Sequence, residues 1–359
     1  MAGFFYNVIE KLFILCYYIL KINVERQYGV IKGGIILMNS LYIIGNGFDL
    51  AHGLDTSYWH FRMFLENKDY EFLTMLEKLY NIEQLDETEY GYNCALQTAW
   101  EKRIKAELWS EFEKHLGLPN TQYMLDISAS VLGNLNLESG NIGIIDTMDH
   151  YWRKQFGFIK KLQNYVEEWI SQIEFSGILP KKTDLVENNK DYFFSFNYTR
   201  TLEDTYKIDN VLHIHGSIGQ GSDMSPFMGH CNQQAIKEHL ELHKEAYENG
   251  NEGEASIQSA IGEYLKEIFK DTEHYIGMNY HFFDHLKTVS HVIIIGWSAG
   301  DVDIPYLCKI RDSVAKDTIW TVYYYDDKAY NDLQAALASN GITDSFETEF
   351  FNAETFWNR

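Results

Sequence analysis

The stretch at the centre of this sequence is Leu41-Tyr42-Ile43-Ile44-Gly45-Asn46-Gly47-Phe48-Asp49. Its apolar first half is typical of a buried strand, and its glycines allow a sharp turn and a close approach of the backbone to a ligand. A helix is predicted to begin at Asp49, with this residue as a candidate cap. A strand, a glycine turn and a helix N-terminus favour anion binding, although an ordinary strand-to-helix turn explains the pattern equally well.

Composition narrows the class of protein. The 359 residues are 45% hydrophobic, which is enough for one large domain or two ordinary ones with a sizeable core. The formal net charge is −22 and no basic residues cluster, so nucleic-acid binding is not expected. The cysteines are scattered and form no C-x-x-C pair, which argues against a four-cysteine zinc site and favours the cytoplasm. They are Cys16, Cys94, Cys231 and Cys308.

Residues 1–37 form an N-terminal extension ahead of a domain that covers residues 38–359. The apolar run at residues 12–20 is too short to span a bilayer, which needs about 20 residues. The extension is either an amphipathic helix that lies on a membrane or on the domain, or a segment upstream of the true start at Met38. We favour the start at Met38, because it places the first core strand at the N-terminus, as is usual in nucleotide-binding folds.

The rest of the chain predicts an α/β fold. Residues 55–180 are assigned to a helical insertion above the glycine turn, with a loop at residues 134–141 and an amphipathic helix at residues 156–170. Each main strand ends in small or polar residues, which is where an open parallel sheet places its ligand crevice. We therefore expect a Rossmann-like, mostly parallel sheet with a large helical insertion. The further strands are predicted at residues 191–196, 211–214, 291–295, 318–325 and 346–351.

Two polar residues at strand ends carry the expected chemistry. Asn197 and His215 each follow a predicted strand, so one crevice can hold both. An asparagine amide offers a donor and an acceptor that can orient a water or a ribose. A histidine titrates near neutrality and can accept a proton. Asp49 either binds a ribose hydroxyl or caps its helix, and we favour the cap; Asp303 either contacts a ligand or fastens its loop.

Four motifs in this order resemble the AbiH family, bacterial abortive-infection proteins that act against phage. The resemblance covers most of residues 38–351, and the first three motifs together are quite specific. The motifs are Gly45-Asn46-Gly47-Phe48-Asp49-Leu50-Ala51-His52-Gly53-Leu54, Ser195-Phe196-Asn197-Tyr198-Thr199, His213-Ile214-His215-Gly216, and Gly296-Trp297-Ser298 with Asp301-Val302-Asp303.

AbiH proteins in turn look like a remote branch of the sirtuin-like fold. This likeness implies that the glycine turn meets the NAD diphosphate, that Asn197 lies near the nicotinamide ribose and that His215 is the catalytic base. Thr199 replaces the acid of the sirtuin motif. Residues 296–298 match a loop on the adenosine side. The residues expected at the ligand are Gly45, Asn46, Gly47, Asp49, Gly53, Gly296, Ser298 and Asp303.

The same likeness narrows the activity. The zinc-binding cysteines of deacetylase sirtuins are missing and no acyl-lysine channel is recognisable, so protein deacetylation is not expected. The activity implied is hydrolysis of NAD, as substrate, to nicotinamide and ADP-ribose, without a metal. The expected partners are a small-molecule nucleotide and a phage protein as trigger; association between copies of the chain stays open.

Three alternatives remain. The fold could bind a nucleotide signal without hydrolysing it, as a sensor or scaffold. A metal ion could be held by a set of histidines and a cysteine. A metal-dependent nuclease could use a set of aspartates, although the negative charge of the chain weighs against it. The metal set is His213, His215, His230 and Cys231; the nuclease set is Asp49, Asp301 and Asp303.

Overall fold

A computed structural model describes residues 30–31, 34–35, 39–85, 94–134, 141–182, 185, 190–219 and 224–358. The interpretation of residues 1–37 as an amphipathic helix or as a segment upstream of a start at Met38 falls almost wholly outside these ranges, and so does most of the loop predicted at residues 134–141. Two short strands, Val30–Ile31 and Gly34–Ile35, pair antiparallel. Within the described ranges, no helix combines the length and the apolar character that crossing a membrane requires.

The centre of the molecule is a sheet of six strands, all parallel. The strands run in the spatial order β3-β2-β1-β4-β5-β6 and are β1 (Asn39–Ile44), β2 (Tyr192–Ser195), β3 (Val211–His213), β4 (Val289–Ile295), β5 (Ile319–Tyr324) and β6 (Thr348–Asn352).

This strand order confirms the predicted α/β, Rossmann-like fold. The chain adds strands to one side of β1 and then returns to the other side with β4, so the order reverses between these two neighbours. Ligands of open α/β sheets bind outside the carboxyl ends of the strands at such a switch point. The glycine turn after β1 and the Gly296 turn after β4 both lie there.

Helices cover the sheet on both faces. One face packs on α12 to α16 and the other on α1, α9 and α17. The helices are α1 (Asn46–Ala51), α2 (Tyr58–Lys68), α3 (Tyr70–Leu79), α4 (Cys94–Glu107), α5 (Phe112–Leu116), α6 (Thr121–Asn134), α7 (Asn141–Phe156), α8 (Leu162–Ser171), α9 (Thr201–Tyr206), α10 (Gln233–Glu248), α11 (Glu252–Glu267), α12 (Thr272–Met278), α13 (Tyr280–His285), α14 (Ile304–Ser313), α15 (Asp327–Ser339), α16 (Ile342–Ser345) and α17 (Ala353–Trp357).

A separate hydrophobic core lies in the helical layer. It joins buried side chains of residues 61–170 to those of α10 and α11, which come much later in the chain. The predicted helix at residues 156–170 is divided, because a 3₁₀ segment at Gly157–Lys161 precedes α8. Two charged helices, α10 and α11, follow residue 232, and the break between them lies at residues 249–251. The helical layer is therefore built from two separate stretches of the chain that share one hydrophobic core.

Candidate functional site

A large cleft of about 1420 Å³ opens at the carboxyl ends of the sheet strands, below the helical layer. Its lining comes from both sides of the switch point, with residues that follow β1, β2 and β3 and residues that follow β4, β5 and β6. Gly53, also predicted at the ligand, is not part of the lining. The predicted site residues that do line the cleft are Gly45, Asn46, Gly47, Asp49, Asn197, His215, Gly296, Ser298 and Asp303.

The glycines after β1 and β4 pack directly on each other. The Gly47 amide donates to the Gly296 carbonyl at 2.7 Å, and the Gly45 amide donates to Ile295 at 3.0 Å. A Cβ on Gly45 would lie 2.8 Å from the Gly296 carbonyl carbon. These amides are engaged within the protein, so the turn presents fewer free donors than the sequence pattern predicts. The glycines are required by backbone packing at the switch point.

Asp49 does not cap its helix. Helix α1 begins three residues earlier, at Asn46, with Gly45 as its N-cap and no side-chain cap. The Asp49 carboxylate instead accepts hydrogen bonds from Thr199 and, at 2.6 Å, from Thr201. Burial raises its pKa to about 6 against the opposing effect of these hydroxyls. The predicted cap was wrong, because the carboxylate has partners on the segment that follows β2.

Asn197 lines the cleft, and its side-chain amide is fixed by one hydrogen bond. Its side-chain Nδ2 donates to the Gly45 carbonyl at 3.1 Å, which fixes the amide against the glycine turn. Its Oδ1 is buried and has no hydrogen-bond partner among the described residues. Buried polar atoms are normally paired, so an unpaired acceptor in a cleft lining marks a place for a ligand or a water.

His215 and Asp303 present two further unpaired atoms. His215 Nε2 lies 3.6 Å from Asp303 Oδ1, too far for a hydrogen bond, and both atoms lack partners among the described residues. A backbone hydrogen bond with Phe196 holds the imidazole, and Trp297 Nε1 donates to Asp303 Oδ2 at 2.9 Å. Asp303 thus fastens the loop after β4 with one oxygen and faces His215 with the other.

Burial tunes the protonation of this pair. It lowers the pKa of His215 well below the usual range, and the charge of Lys270 acts in the same direction. Burial also raises the pKa of Asp303 to about 7, with Lys270 opposing and Glu113 reinforcing the shift. His215 is therefore neutral at physiological pH, with a lone pair on Nε2, and Asp303 exchanges its proton near neutrality. The pKa of Asp303 lies near the operating pH, as general acid–base chemistry favours, whereas the lowered pKa makes His215 a weaker base than a free imidazole.

Asp303→Asn is expected to increase stability at alkaline pH. A raised carboxyl pKa stabilises the folded state fully below the unfolded pKa of 3.8, and this contribution is lost as pH rises through about 7. Asparagine does not titrate. The free energy of unfolding of the variant, relative to that of wild type, should therefore increase by on the order of 2 kcal/mol from pH 5 to pH 8. Urea denaturation at the two pH values measures this gain. Asp301→Asn, at an exposed carboxylate, is the control, and equal gains for both variants would refute the assignment.

The helical layer contributes a buried polar cluster that the sequence did not reveal. Glu113 of α5 accepts hydrogen bonds from the hydroxyls of Tyr58 at 3.0 Å and Tyr198 at 2.8 Å. Its partner in an ion pair is Lys270, fully buried, with Nζ at 2.7 Å. Tyr58, Glu113 and Tyr198 line the cleft. Helical periodicity marks Glu113 only as a polar position, and no motif links it to Lys270.

The alternative metal set does not assemble. His213 bonds to the Asn197 carbonyl at 2.9 Å and to Glu203 Oε1 at 2.9 Å, which uses both ring nitrogens. His230 bonds to the Leu265 carbonyl and to the backbone of Asn232. Across the part of the chain that the structure describes, no three His, Cys, Asp or Glu residues form a group suited to a metal ion.

The nuclease set is also divided. Asp49 is committed to two threonine hydroxyls. Asp301 is exposed and forms an ion pair with Lys114 at 3.1 Å. Only Asp303 of this set presents an unpaired buried oxygen among the described residues. Within the described residues, these three aspartates therefore do not form a group suited to a metal ion.

The fold and the cleft define a Rossmann-like α/β protein with a ligand crevice at its switch point. The model of one family, AbiH, described as bacteriophage abortive infection, matches residues 41–324. The chain belongs to the AbiH family, which confirms the resemblance seen in its motifs and assigns it a role in abortive infection. Neither a curated protein nor a solved structure matches the chain significantly.

Proposed function

We propose that this protein is an anti-phage effector that hydrolyses NAD to nicotinamide and ADP-ribose. The observation that carries the proposal is that three residues in the lining of one cleft each have a buried polar atom without a hydrogen-bond partner among the described residues: Asn197 Oδ1, His215 Nε2 and Asp303 Oδ1. All three are acceptors when Asp303 is ionised, and a ribose and a water both offer hydroxyl donors. These residues can therefore provide hydrogen-bond acceptors for a water or for the hydroxyls of a ribose.

The size and charge of the cleft fit a dinucleotide. Ligand sites commonly measure about 300–1,000 Å³, and this cleft is larger. Lys105 and Lys181 line it and can attract a diphosphate, although Lys105 also lies 4.0 Å from the Trp59 ring centre. The carboxylates of Asp303 and Glu113 favour a cationic nicotinamide ribose. Substrate binding would thus combine positive side chains for the phosphates with acidic groups at the reacting centre.

The reaction assigns a role to each group. The bond between the ribose C1′ and the nicotinamide nitrogen breaks, and nicotinamide leaves as a neutral molecule with the electron pair. A water held by Asn197 Oδ1 adds to C1′, and its proton passes to His215 Nε2 and then to solvent. An ionised Asp303 stabilises the positive charge that develops on the ribose. The contact between the glycine turns after β1 and β4 fixes the relative positions of the segments that carry these groups.

Asn197→Ala is expected to lower the hydrolysis rate by about 10²-fold, because loss of one positioning group misplaces the reacting water. Lysates of phage-challenged cells that express the variant are supplied with NAD, and nicotinamide release is measured. Asn67→Ala, at an exposed helix position, is the control and should leave the rate unchanged. A rate unaffected by Asn197→Ala would exclude this role.

Binding without hydrolysis is the competing function, and the same variants separate the two. Protection from phage that survives both Asn197→Ala and the loss of the His215 imidazole would favour a nucleotide sensor over hydrolysis. In the proposed function the effector stays silent until a phage protein triggers it, and then depletes the cytoplasmic NAD pool. No metal takes part in the proposed reaction.

A further inference from the structure

We propose that Glu113 and Tyr58 bind the hydroxyls of the ribose that carries the scissile bond, from the helical side of the cleft. This inference rests on the proposed function. It adds residues of the helical layer to a site that otherwise consists of residues at the strand ends. Neither residue belongs to the motifs at the strand ends. Both line the cleft that contains Asn197 and His215.

The hydrogen bonds of Glu113 are unevenly divided between its two oxygens. Oε1 accepts from Tyr198 at 2.8 Å, from Lys270 at 2.7 Å and from the Gly229 amide at 3.1 Å. Oε2 accepts from Tyr58 at 3.0 Å and has no other partner within the described ranges. An ionised carboxylate has about four acceptor sites, so Oε2 keeps capacity for another donor.

The ion pair holds this carboxylate in place. Lys270 is fully buried and Glu113 is 5% exposed, so water does not compete for their contact. Three donors on Oε1 come from separate chain segments and fix the orientation of the carboxylate. The remaining oxygen is therefore a rigid acceptor, which binds a donor at a low cost in entropy.

Tyr58 is equally well placed. It is the first residue of α2, and the Ser57 side chain caps that helix in a reciprocal arrangement with His60. Its hydroxyl donates to Glu113 Oε2, which leaves the lone pairs of the phenol oxygen as acceptors. A carboxylate oxygen and a phenol oxygen side by side match two neighbouring hydroxyl donors.

The chemistry of these acceptors identifies the ligand group. A ribose with free 2′ and 3′ hydroxyls supplies two adjacent donors, whereas a phosphate on either position would face the Glu113 carboxylate and be repelled. Glu113 and Asp303 line the same cleft, and the charge of Glu113 contributes to the raised pKa of Asp303, so the two carboxyl groups are close enough to interact. The unmodified ribose next to the leaving base is the group that fits.

The test compares the binding of two non-reacting ligands to the purified full chain by calorimetry. ADP-ribose carries the second ribose and ADP lacks it. Wild type should prefer ADP-ribose. Glu113→Gln should reduce that preference about tenfold or more, as expected for a hydrogen bond to a charged acceptor, and Tyr58→Phe should reduce it about fivefold, as expected for a neutral one. Tyr80→Phe is the matched control, because its hydroxyl bonds to Tyr264 and Leu116 outside the cleft lining.

Thermal melts identify a variant that fails to fold. If Glu113→Gln does not fold, Tyr58→Phe carries the test, since it removes only one hydroxyl. An unchanged preference in a folded variant, an equal loss of both ligands, or no binding of either ligand by wild type would overturn the ribose contact. If infected cells show no NAD hydrolysis but the preference depends on Tyr58, the ribose contact stands and the proposed hydrolysis fails.

Discussion

Replacing His215 by asparagine is expected to slow NAD hydrolysis by about 10²- to 10⁴-fold, the usual contribution of a general base. The imidazole is buried and neutral, and its Nε2 is an unpaired acceptor within the described part of the chain. Asparagine retains a donor for the Phe196 backbone but has no basic nitrogen at the position of Nε2. The variant should therefore fold and lose its chemistry. Nicotinamide release from NAD in lysates of infected cells measures the effect.

His239→Asn is the matched control for this substitution. His239 is also buried, but its Nδ1 bonds to Gln258 between α10 and α11, and it does not line the cleft. Its loss should change the melting temperature and leave the hydrolysis rate nearly unchanged. A His215→Asn variant with a normal rate would remove the base from the proposed reaction.

Gly296→Ala is expected to destabilise the protein by more than about 4 kcal/mol, a loss that few single substitutions cause. The residue has φ +72°, which disfavours any side chain, and an added Cβ would lie 2.8 Å from the Gly47 carbonyl carbon. The opposing atoms are backbone atoms of the first glycine turn, so they cannot move aside as a flexible side chain would. Urea denaturation at neutral pH measures the loss.

Gly53→Ala separates backbone strain from steric overlap. Gly53 has φ +79°, but an added Cβ would meet nothing within 4 Å. This variant should lose only about 1–2 kcal/mol, the cost of a left-handed conformation for a residue with a side chain. Equal losses at the two positions would show that the contact between the two glycine turns contributes nothing.

The inner strands of the sheet were predictable because helices cover the sheet on both faces. Such strands are continuous apolar runs, and the small or polar residues that end them mark the crevice edge. The runs ending at Ile44 and Ile295 therefore identified the two strands at the switch point. The shared core of the helical layer was not predictable from the sequence. It joins α7 to α11, and the strands β2 and β3 lie between these two helices in the chain.

Part of the candidate site follows from the sequence and part does not. Asn197 and His215 follow strands directly, so sheet geometry brings them together in the cleft. Glu113 and Lys270 are 157 residues apart, and only the packing of the helical layer on the cleft brings them into contact. Asp49 was misinterpreted for a related reason, since the threonines that hold it lie on another segment. The local sequence pattern thus predicts where the backbone lies in the fold better than it predicts which side chains contact each other.

The most direct test of the account measures NAD, nicotinamide and ADP-ribose by mass spectrometry in cells that carry this protein, before and after phage challenge. His215→Asn is measured in parallel. We expect NAD to fall and ADP-ribose and nicotinamide to appear after challenge with wild type, and none of these changes with the variant. Protection from phage with an unchanged NAD level would contradict hydrolysis as the activity of this cleft.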